Sequence, residues 1–384
     1  MYVEVKVTDF DVRKKIGIVT FFKGNYGSML QCYATCITLK GFGFSPLVFE
    51  KKENRYANLL RFAARCLSRP KYIKTFLNIR KKAFSGSSRL SKNDKLFMNE
   101  FITNKLPIIQ VSASKMRRLG NSEQFIAFFS GSDQIWGGHE YIIDPMRFLR
   151  FAPKSKRIAW APSFGTSDIA KYNKRTYKKY ISQYKHLSVR ETSAVDLVSE
   201  LTGKMAIPLA DPVFLLTRNQ WSTLFVNVPV KQYLMCYFLD KLSPTTVQQI
   251  NNFCETHNLK VVVFGPTNDS YEEIKSEKIY GGPEMFVSLI SHAQCVFTDS
   301  FHALSFSLIM NTPFFVYKRN YAHGIDQSSR VKTLLGKTGM QQFFDPQTVL
   351  DINWNFSYSN DVISEERQSL LKYLCGCLDI NTEV

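Results

Sequence analysis

Short apolar runs alternate along this chain with segments in which apolar residues recur every three or four positions. Runs that are rich in β-branched and aromatic residues are typical of buried strands, and the intervening periodicity is typical of helices. Strands that alternate with helices indicate an α/β fold built on parallel sheets. The predicted strands are Ile16–Phe22, Pro46–Glu50, Gln124–Ser130, Arg157–Ala161, Leu187–Arg190, Gln232–Asp240, Lys260–Gly265, Cys295–Thr298 and Pro313–Tyr317.

Helices are predicted between these strands. In the first of them, apolar residues have the spacing of one helical face, at Leu30, Tyr33, Ala34 and Ile37. The other predicted helices are Thr192–Leu201, Pro244–Thr256, Pro283–His292, Phe301–Met310 and Ser364–Leu378.

The length of the chain favours two domains, because 384 residues are too many for one ordinary core. Asp211-Pro212 is interpreted as the linker, since the residue before a proline is disfavoured in a helix. We predict two doubly wound, Rossmann-like domains that face a cleft, over residues 1–210 and 211–360. A helix within 361–384 would cross back to the first domain. Ligands of such domains bind at the carboxyl ends of the strands.

The net charge of +18 indicates an anionic partner, such as nucleic acid, an acidic membrane face, or a phosphorylated or carboxylated substrate. Fourteen lysines and arginines against two acids give +12 to the stretch 51–95, which is predicted to be a helical insertion. Apolar residues interleave with the basic ones there. Two interpretations stay open: a peripheral contact with an anionic membrane, or a solvated helix packed by its apolar side.

The eight cysteines form no C-x-x-C pair and several lie in apolar patterns, which predicts buried, reduced thiols in a cytoplasmic protein. No apolar run approaches the roughly 20 residues of a spanning helix. The first residues lack the layout of a signal peptide. Metal-ligand spacings are not visible either, so no tightly bound metal is predicted.

Two polar motifs follow strands of the first domain. Gly24 and Gly27 lie in a strand-to-helix turn, where glycines and free N–H groups either contact a ligand or only form the turn. Asp133 follows a later strand, together with Gln134 and Trp136. The Asp133 carboxylate would accept a proton or a hydrogen bond from a sugar hydroxyl, or cap the next helix.

Three further positions carry ionisable groups towards the predicted cleft. Arg190 ends a strand, so its guanidinium would bind a carboxylate or phosphate, or pair with the adjacent Glu191 or another acid. His302 lies in the first turn of a helix after a strand, and this junction favours catalysis over a structural role. Ser328 and Arg330 open another helix and form a plausible anion site.

Six segments, taken together and in order, resemble the polysaccharide pyruvyl transferase family. They are Gly24-Asn25-Tyr26-Gly27, Gly131-Ser132-Asp133-Gln134-Ile135-Trp136, Ala161-Pro162-Ser163-Phe164-Gly165, Ser188-Val189-Arg190-Glu191, Asp211-Pro212 and Thr298-Asp299-Ser300-Phe301-His302. The resemblance covers roughly residues 14–340. It implies a fold like that of GT-B glycosyltransferases.

The resemblance also implies an activity: transfer of the enolpyruvyl group of phosphoenolpyruvate to a sugar, with no further cofactor. His302 would be the general acid and Asp133 a second catalytic residue. The donor side would lie in the second domain and the acceptor side in the first. Donor-binding residues would be Arg190, Ser300, Phe301, Ser328 and Arg330, and acceptor-binding residues Asn25, Tyr26, Gly27, Gln134 and Trp136. One position departs from the family pattern, because Ala303 stands where the family has glycine.

Two other functions stay open on the sequence alone. A nucleotide-sugar glycosyltransferase would share the predicted architecture. A non-catalytic protein that binds an anionic ligand or nucleic acid is suggested only by the charge, and no recognised nucleic-acid motif supports it. We therefore expect a sugar acceptor, either free or lipid-linked, and no nucleic acid partner. The expected location is the cytoplasm, including the inner face of its membrane.

Overall fold

The computed structural model describes residues 14–52, 55–78, 90–266, 269–319, 328–348 and 354–380. The first half of the chain forms a sheet from the strands β1 (Lys15–Val19), β2 (Ser45–Lys51), β3 (Ile108–Val111), β4 (Phe125–Ser130) and β5 (Arg157–Ala159). All of its neighbouring strands are parallel, in the order β3-β2-β1-β4-β5. The strand order therefore reverses between β1 and β4.

The helices of this half are α1 (Tyr26–Gly41), α2 (Arg55–Ser68), α3 (Lys92–Lys105), α4 (Ala113–Gly120), α5 (Lys174–Ile181) and α6 (Thr192–Thr202). A further helical stretch covers 73–78. Two short strands, β6 (Ser188–Val189) and β7 (Ile207–Pro208), pair in parallel and form a sheet of their own. The segment predicted as the strand Leu187–Arg190 is thus extended but does not extend the main sheet.

The second half repeats the topology of the first. Its strands are β8 (Tyr233–Tyr237), β9 (Lys260–Phe264), β10 (Ser276–Ile279), β11 (Cys295–Thr298) and β12 (Phe314–Val316). They form a parallel sheet in the order β10-β9-β8-β11-β12. The helices are α7 (Arg218–Ser222), α8 (Pro244–His257), α9 (Pro283–His292), α10 (Phe301–Met310), α11 (Ser329–Lys337) and α12 (Ser357–Leu378).

Two doubly wound parallel sheets confirm the predicted fold class. The domain boundaries at 210 and 360 stay predictions. Three strands were missed: β7 has only two residues, and β3 and β10 are edge strands that are mostly not fully buried. The last helix begins at Ser357, before the predicted Ser364.

Contacts between the two halves surround α1 and α12. The Tyr26 ring of α1 packs 5.0 Å from Phe264 and 5.5 Å from Phe286, both in the second half. From α12, the Tyr373 hydroxyl donates a 2.9 Å hydrogen bond to the carbonyl of Ala159. These ring contacts and this hydrogen bond hold the carboxyl edges of the two sheets close to each other.

All eight cysteines lie in the described part of the chain, and each is a free thiol. Burial raises the pKa of most of them, including Cys236 and Cys295, far into the alkaline range. Within the described segments, no helix combines the length and the apolar character that crossing a bilayer requires.

Candidate active site

The turns that follow β1, β4 and β11 meet between the two sheets. The first turn opens α1 with Gly27, the second holds Asp133, and the third opens α10 with His302. All three follow the strands at which the strand order reverses. Doubly wound sheets bind ligands at this position, because connections leave the sheet on opposite sides there and open a crevice.

Gly27 allows the closest approach between the halves. A Cβ atom at this position would lie 2.0 Å from Cγ and 2.1 Å from Nδ1 of the His302 ring. Such distances are far below van der Waals contact. Only glycine therefore lets the first turn of α1 rest against the imidazole.

The Gly27→Ala variant is expected to lower turnover about 10²-fold, because the added methyl group displaces His302 or α1 from the closed arrangement. Gly41→Ala is the matched control, since it changes the last residue of the same helix, where a Cβ meets no atom within 4 Å. Steady-state kinetics of both variants check this expectation. Equal turnover of both would contradict it.

Arg190 is the centre of a buried cluster of charges. Its Nη1 donates a short hydrogen bond to Asp211, its Nη2 lies 3.7 Å from Oδ1 of Asp133, and its Nε lies 3.7 Å from Oε1 of Glu191. Burial alone would lower the pKa of Arg190, but the charges of Asp211, Glu191 and Asp133 raise it above its ordinary value. The guanidinium is therefore permanently charged. Of the two functions left open for it, pairing with Glu191 is observed, at 3.7 Å.

His302 stands beside the same acid. Its Nε2 lies 3.6 Å from Oδ2 of Asp211, and its helix begins at the cap Ser300, whose hydroxyl accepts a hydrogen bond from the N–H of Ala303. Burial would raise the pKa of Asp211, but the interactions with His302 and Arg190 hold it well below its usual range.

Removing this carboxylate changes how stability depends on pH. The folded pKa of Asp211 is depressed, so its contribution is complete above the ordinary value of about 4 and is lost as pH falls through the folded pKa. Asp211→Asn is expected to unfold with about 3 kcal/mol less free energy at neutral pH and to lose less stability below about pH 4. Urea unfolding at pH 7, 5 and 3 measures both effects. Parallel pH profiles for the variant and the wild type would exclude this role.

A second arginine completes the cationic side of the cluster. The Phe301 ring lies between two guanidiniums, 4.9 Å from that of Arg190 and 5.6 Å from that of Arg330. Gln134, with its amide oxygen turned towards Arg330, accepts hydrogen bonds from it, one of them 3.0 Å long. Burial, reinforced by the neighbouring Arg190, lowers the pKa of Arg330 to about 10. It is still a cation at neutral pH.

Several buried polar atoms of this cluster make no hydrogen bond within the described structure. They are Nε and Nη2 of Arg190, Nε of Arg330, Nε2 of His302 and Oε2 of Glu191. Buried donors are seldom left in this state unless a ligand completes them. A small cleft that is open to solvent borders Arg190, Asp211 and Arg330. The arrangement suits an anionic ligand.

Asp133 is held by the cluster from two sides. Ser28 donates a short hydrogen bond to its Oδ2, and Arg190 lies near its Oδ1. Burial would raise the pKa of Asp133, but the charges of Arg190 and His302 keep it below the ordinary value. The interpretation of Asp133 as a helix cap is wrong, because no helix begins after it.

Four predicted ligand residues do not place their side chains in this cluster. Trp136, predicted on the acceptor side, is fully buried, stacks on Phe148 at 5.3 Å and donates to the Ser130 hydroxyl. Tyr26 is also fully buried, and its hydroxyl donates to the carbonyl of Gly281. Neither ring has a face open to a sugar. Asn25 caps α1 by accepting from the N–H groups of Gly27 and Ser28, and Ser328 lines a second, smaller pocket beside Arg330.

Three members of the cluster were not predicted as site residues. Asp211 was interpreted only as a linker, and Glu191 only as an alternative partner of Arg190. Ser28 directly follows the matched segment that ends at Gly27 and is not part of it. The sequence did contain a signal for Asp211, because Asp211-Pro212 is one of the six matched segments. In the structure its carboxylate is buried, which is rare for an acid in a linker.

The side chains of the cluster are not arranged as metal ligands. Among the residues that the structure describes, no group of three or more histidine, cysteine, aspartate or glutamate side chains is arranged to hold a metal ion. The carboxylates of the cluster surround Arg190 instead.

Two Rossmann-like sheets with a buried charge cluster between their switch points define the class of the protein as a two-domain α/β protein with a GT-B-like fold. The model of the family described as polysaccharide pyruvyl transferase matches residues 25–321, more than half of the chain. The protein belongs to the polysaccharide pyruvyl transferase family. It is therefore a member of a transferase family whose name specifies a pyruvyl group and a polysaccharide.

Solved structures similar to this chain include three enzymes of low identity. The UDP-GlcNAc 2-epimerase of Methanocaldococcus jannaschii is 11% identical over 94% of this chain and 99% of its own, with a TM-score of 0.47. MurG of Acinetobacter baumannii is 8% identical over 95% and 99%, with a TM-score of 0.45. The glycosyltransferase SnogD of Streptomyces nogalater is 12% identical over 94% and 95%, with a TM-score of 0.44. No curated protein sequence matches this chain.

Proposed function

We propose that the protein transfers the enolpyruvyl group of phosphoenolpyruvate to two hydroxyls of one sugar and forms a pyruvate ketal on a precursor of a surface or capsular polysaccharide. The observation that supports this most is the set of buried donors without partners on Arg190, Arg330 and His302. Phosphoenolpyruvate carries a phosphate and a carboxylate on a small frame, so it requires fixed cations around it. It is a co-substrate, and no further cofactor is needed.

The reaction begins with a proton. His302, as the imidazolium, gives its proton to the methylene carbon, and the neighbouring carbon becomes electrophilic. One sugar hydroxyl adds to that carbon and loses its proton, the phosphate leaves, and the second hydroxyl closes the ring and loses its proton. Of the two hydroxyl protons, one replaces the proton spent on the new methyl group and the other ends on phosphate. The atoms therefore balance without an oxidant or reductant.

Each charged residue has a role in this sequence. Arg190 and Arg330 hold the anionic end of the donor, with Phe301 between them. Asp211 lies 3.6 Å from Nε2 of His302, where it positions the ring for the first step. Asp133 is a weak base because its pKa is depressed, so we assign it the positioning of Arg190 and Ser28 rather than proton transfer. The acceptor would enter from the side of Gly27 and Gln134.

The test is an incubation with phosphoenolpyruvate and a panel of free and lipid-linked glycosides. We expect phosphate release that depends on the acceptor, and an acceptor mass increased by pyruvate less one water. Nucleotide sugars serve as the competing donors. Release of nucleoside diphosphate, with phosphoenolpyruvate left intact, would replace this proposal with glycosyl transfer.

A further inference from the structure

The helix α2 turns its aliphatic residues away from the protein. Leu60 and Leu67 are seven residues apart, and therefore on one helical face. Their side chains are 70% and 82% exposed. On the opposite side, Arg65 donates hydrogen bonds to the carbonyls of Tyr141 and Tyr172, 3.1 Å and 3.2 Å long. The helix thus turns a half-buried arginine towards the protein and exposes leucines, the reverse of an ordinary surface helix.

The exposed apolar face continues beyond α2. Ile73 and Leu77, one helical turn apart, are exposed, whereas Phe76 between them is buried against Tyr172 at a centroid distance of 5.1 Å. Of the twelve large hydrophobic side chains exposed in the described structure, five lie within residues 59–77. Such a concentration marks an interaction surface rather than scattered exposure.

The charged residues of this segment itself have one sign. Residues 55–78 contain six lysines and arginines and no acid. Arg61 pairs with Asp144 at 3.9 Å, whereas Lys71 and Lys74 are exposed next to the apolar residues. A face that combines exposed leucines with exposed lysines is complementary to a surface that is anionic outside and apolar beneath.

The position of this face relates it to the cleft. α2 follows the carboxyl end of β2, as α1 follows that of β1 and the Asp133 turn follows that of β4. In a parallel sheet these ends share one edge. The exposed face of α2 is therefore on the edge of the first sheet that also carries the active-site cluster.

We propose that the outer face of α2 and the 73–78 helix docks on an anionic phospholipid bilayer. Leu60, Leu67, Ile73 and Leu77 enter the headgroup boundary, and Lys71 and its neighbours meet the lipid phosphates. The proposal goes beyond the function proposed above and does not rest on it. If both hold, the cleft works beside the membrane, where it receives an acceptor that is anchored in lipid.

The experiment is co-sedimentation of the full chain with phosphatidylcholine vesicles, with and without phosphatidylglycerol. We expect binding only to the anionic vesicles. Leu60→Ser/Leu67→Ser and Lys71→Glu/Lys74→Glu are each expected to weaken partitioning at least about tenfold. Far-ultraviolet circular dichroism and thermal unfolding of the variants establish that they are folded.

Matched controls come from the same chain. Leu96→Ser/Met205→Ser removes two apolar side chains that are 67% and 73% exposed elsewhere, and Arg117→Glu/Arg118→Glu reverses two exposed charges on α4. Both controls are expected to bind as the wild type does. Equal binding to neutral vesicles, or undiminished binding by the leucine variant, overturns the proposal. So does a wild-type dimer that the leucine variant dissociates without any vesicle binding, or binding of a DNA duplex in place of vesicles.

Discussion

His302→Ala is expected to lower turnover about 10²–10⁴-fold while phosphoenolpyruvate still binds. The imidazole lies 3.6 Å from the ionised Asp211 and in contact with the first turn of α1, which suits proton donation more than it suits holding the donor. The anionic end of the donor is left to Arg190 and Arg330. The dissociation constant of phosphoenolpyruvate, measured calorimetrically, should therefore change little while kcat collapses.

His186→Ala is the matched control for this prediction. His186 precedes β6, and its carbonyl accepts from the N–H of Ala159, so only its backbone contributes to the sheet. Its imidazole lies outside the charge cluster, and turnover should be retained. A His302→Ala variant with near-native turnover would remove the imidazole from the reaction. One that also loses donor binding would instead make His302 part of the anion site.

The convergence of the site could be foreseen from the chain because it depends on topology. Gly27, Asp133 and His302 each follow a strand, and parallel strands bring their carboxyl ends to one edge. The order of apolar runs was enough to assign that edge. The edge strand β10 escaped prediction because its first three residues are polar, and β3 because its apolar run is only four residues long.

The direction of individual side chains could not be foreseen. Gln134 and Trp136 are two residues apart in one motif, yet the first contacts Arg330 and the second is buried beside Phe148. The turn after β4 has no regular period, so the sequence does not determine which side chain faces the cleft. Likewise Asp211 reads as a linker until folding brings it to Arg190, twenty-one residues away.

The exposed leucines of α2 are a second case in which the sequence does not determine the direction of side chains. An alternation of apolar and basic residues predicts an amphipathic helix but not which face is packed. In the structure Arg65 satisfies carbonyls of the protein, and Leu60 is left outside. Arg65 faces the protein and donates hydrogen bonds to it. A hydrophobicity pattern does not predict such hydrogen bonds.

Arg190→Lys is expected to weaken phosphoenolpyruvate binding about 10- to 100-fold, with a smaller effect on kcat. Lysine keeps the charge but loses the planar set of N–H groups. In the wild type, one of these groups pairs with Asp211 while Nε and Nη2 have no hydrogen-bond partner. A lysine that satisfies Asp211 carries its remaining N–H groups on the same nitrogen, so they do not reach the positions that Nε and Nη2 occupy. A higher KM with kcat largely kept is the converse of the result expected for His302→Ala.

The charge and the donors of Arg190 can be separated by a second substitution. Arg190→Ala leaves Asp133, Glu191 and Asp211 buried without their common cation, which is expected to cost about 3–5 kcal/mol in unfolding free energy. Arg157→Lys is the control, because Arg157 is also buried but donates to the carbonyl of Ala152 at the opposite end of β5. If Arg190→Lys retained the wild-type KM, or if Arg157→Lys raised KM equally, Arg190 would have a structural role only. If only Arg190→Lys raises KM, while Arg190→Ala is destabilised, the guanidinium both neutralises the three acids and contacts the donor.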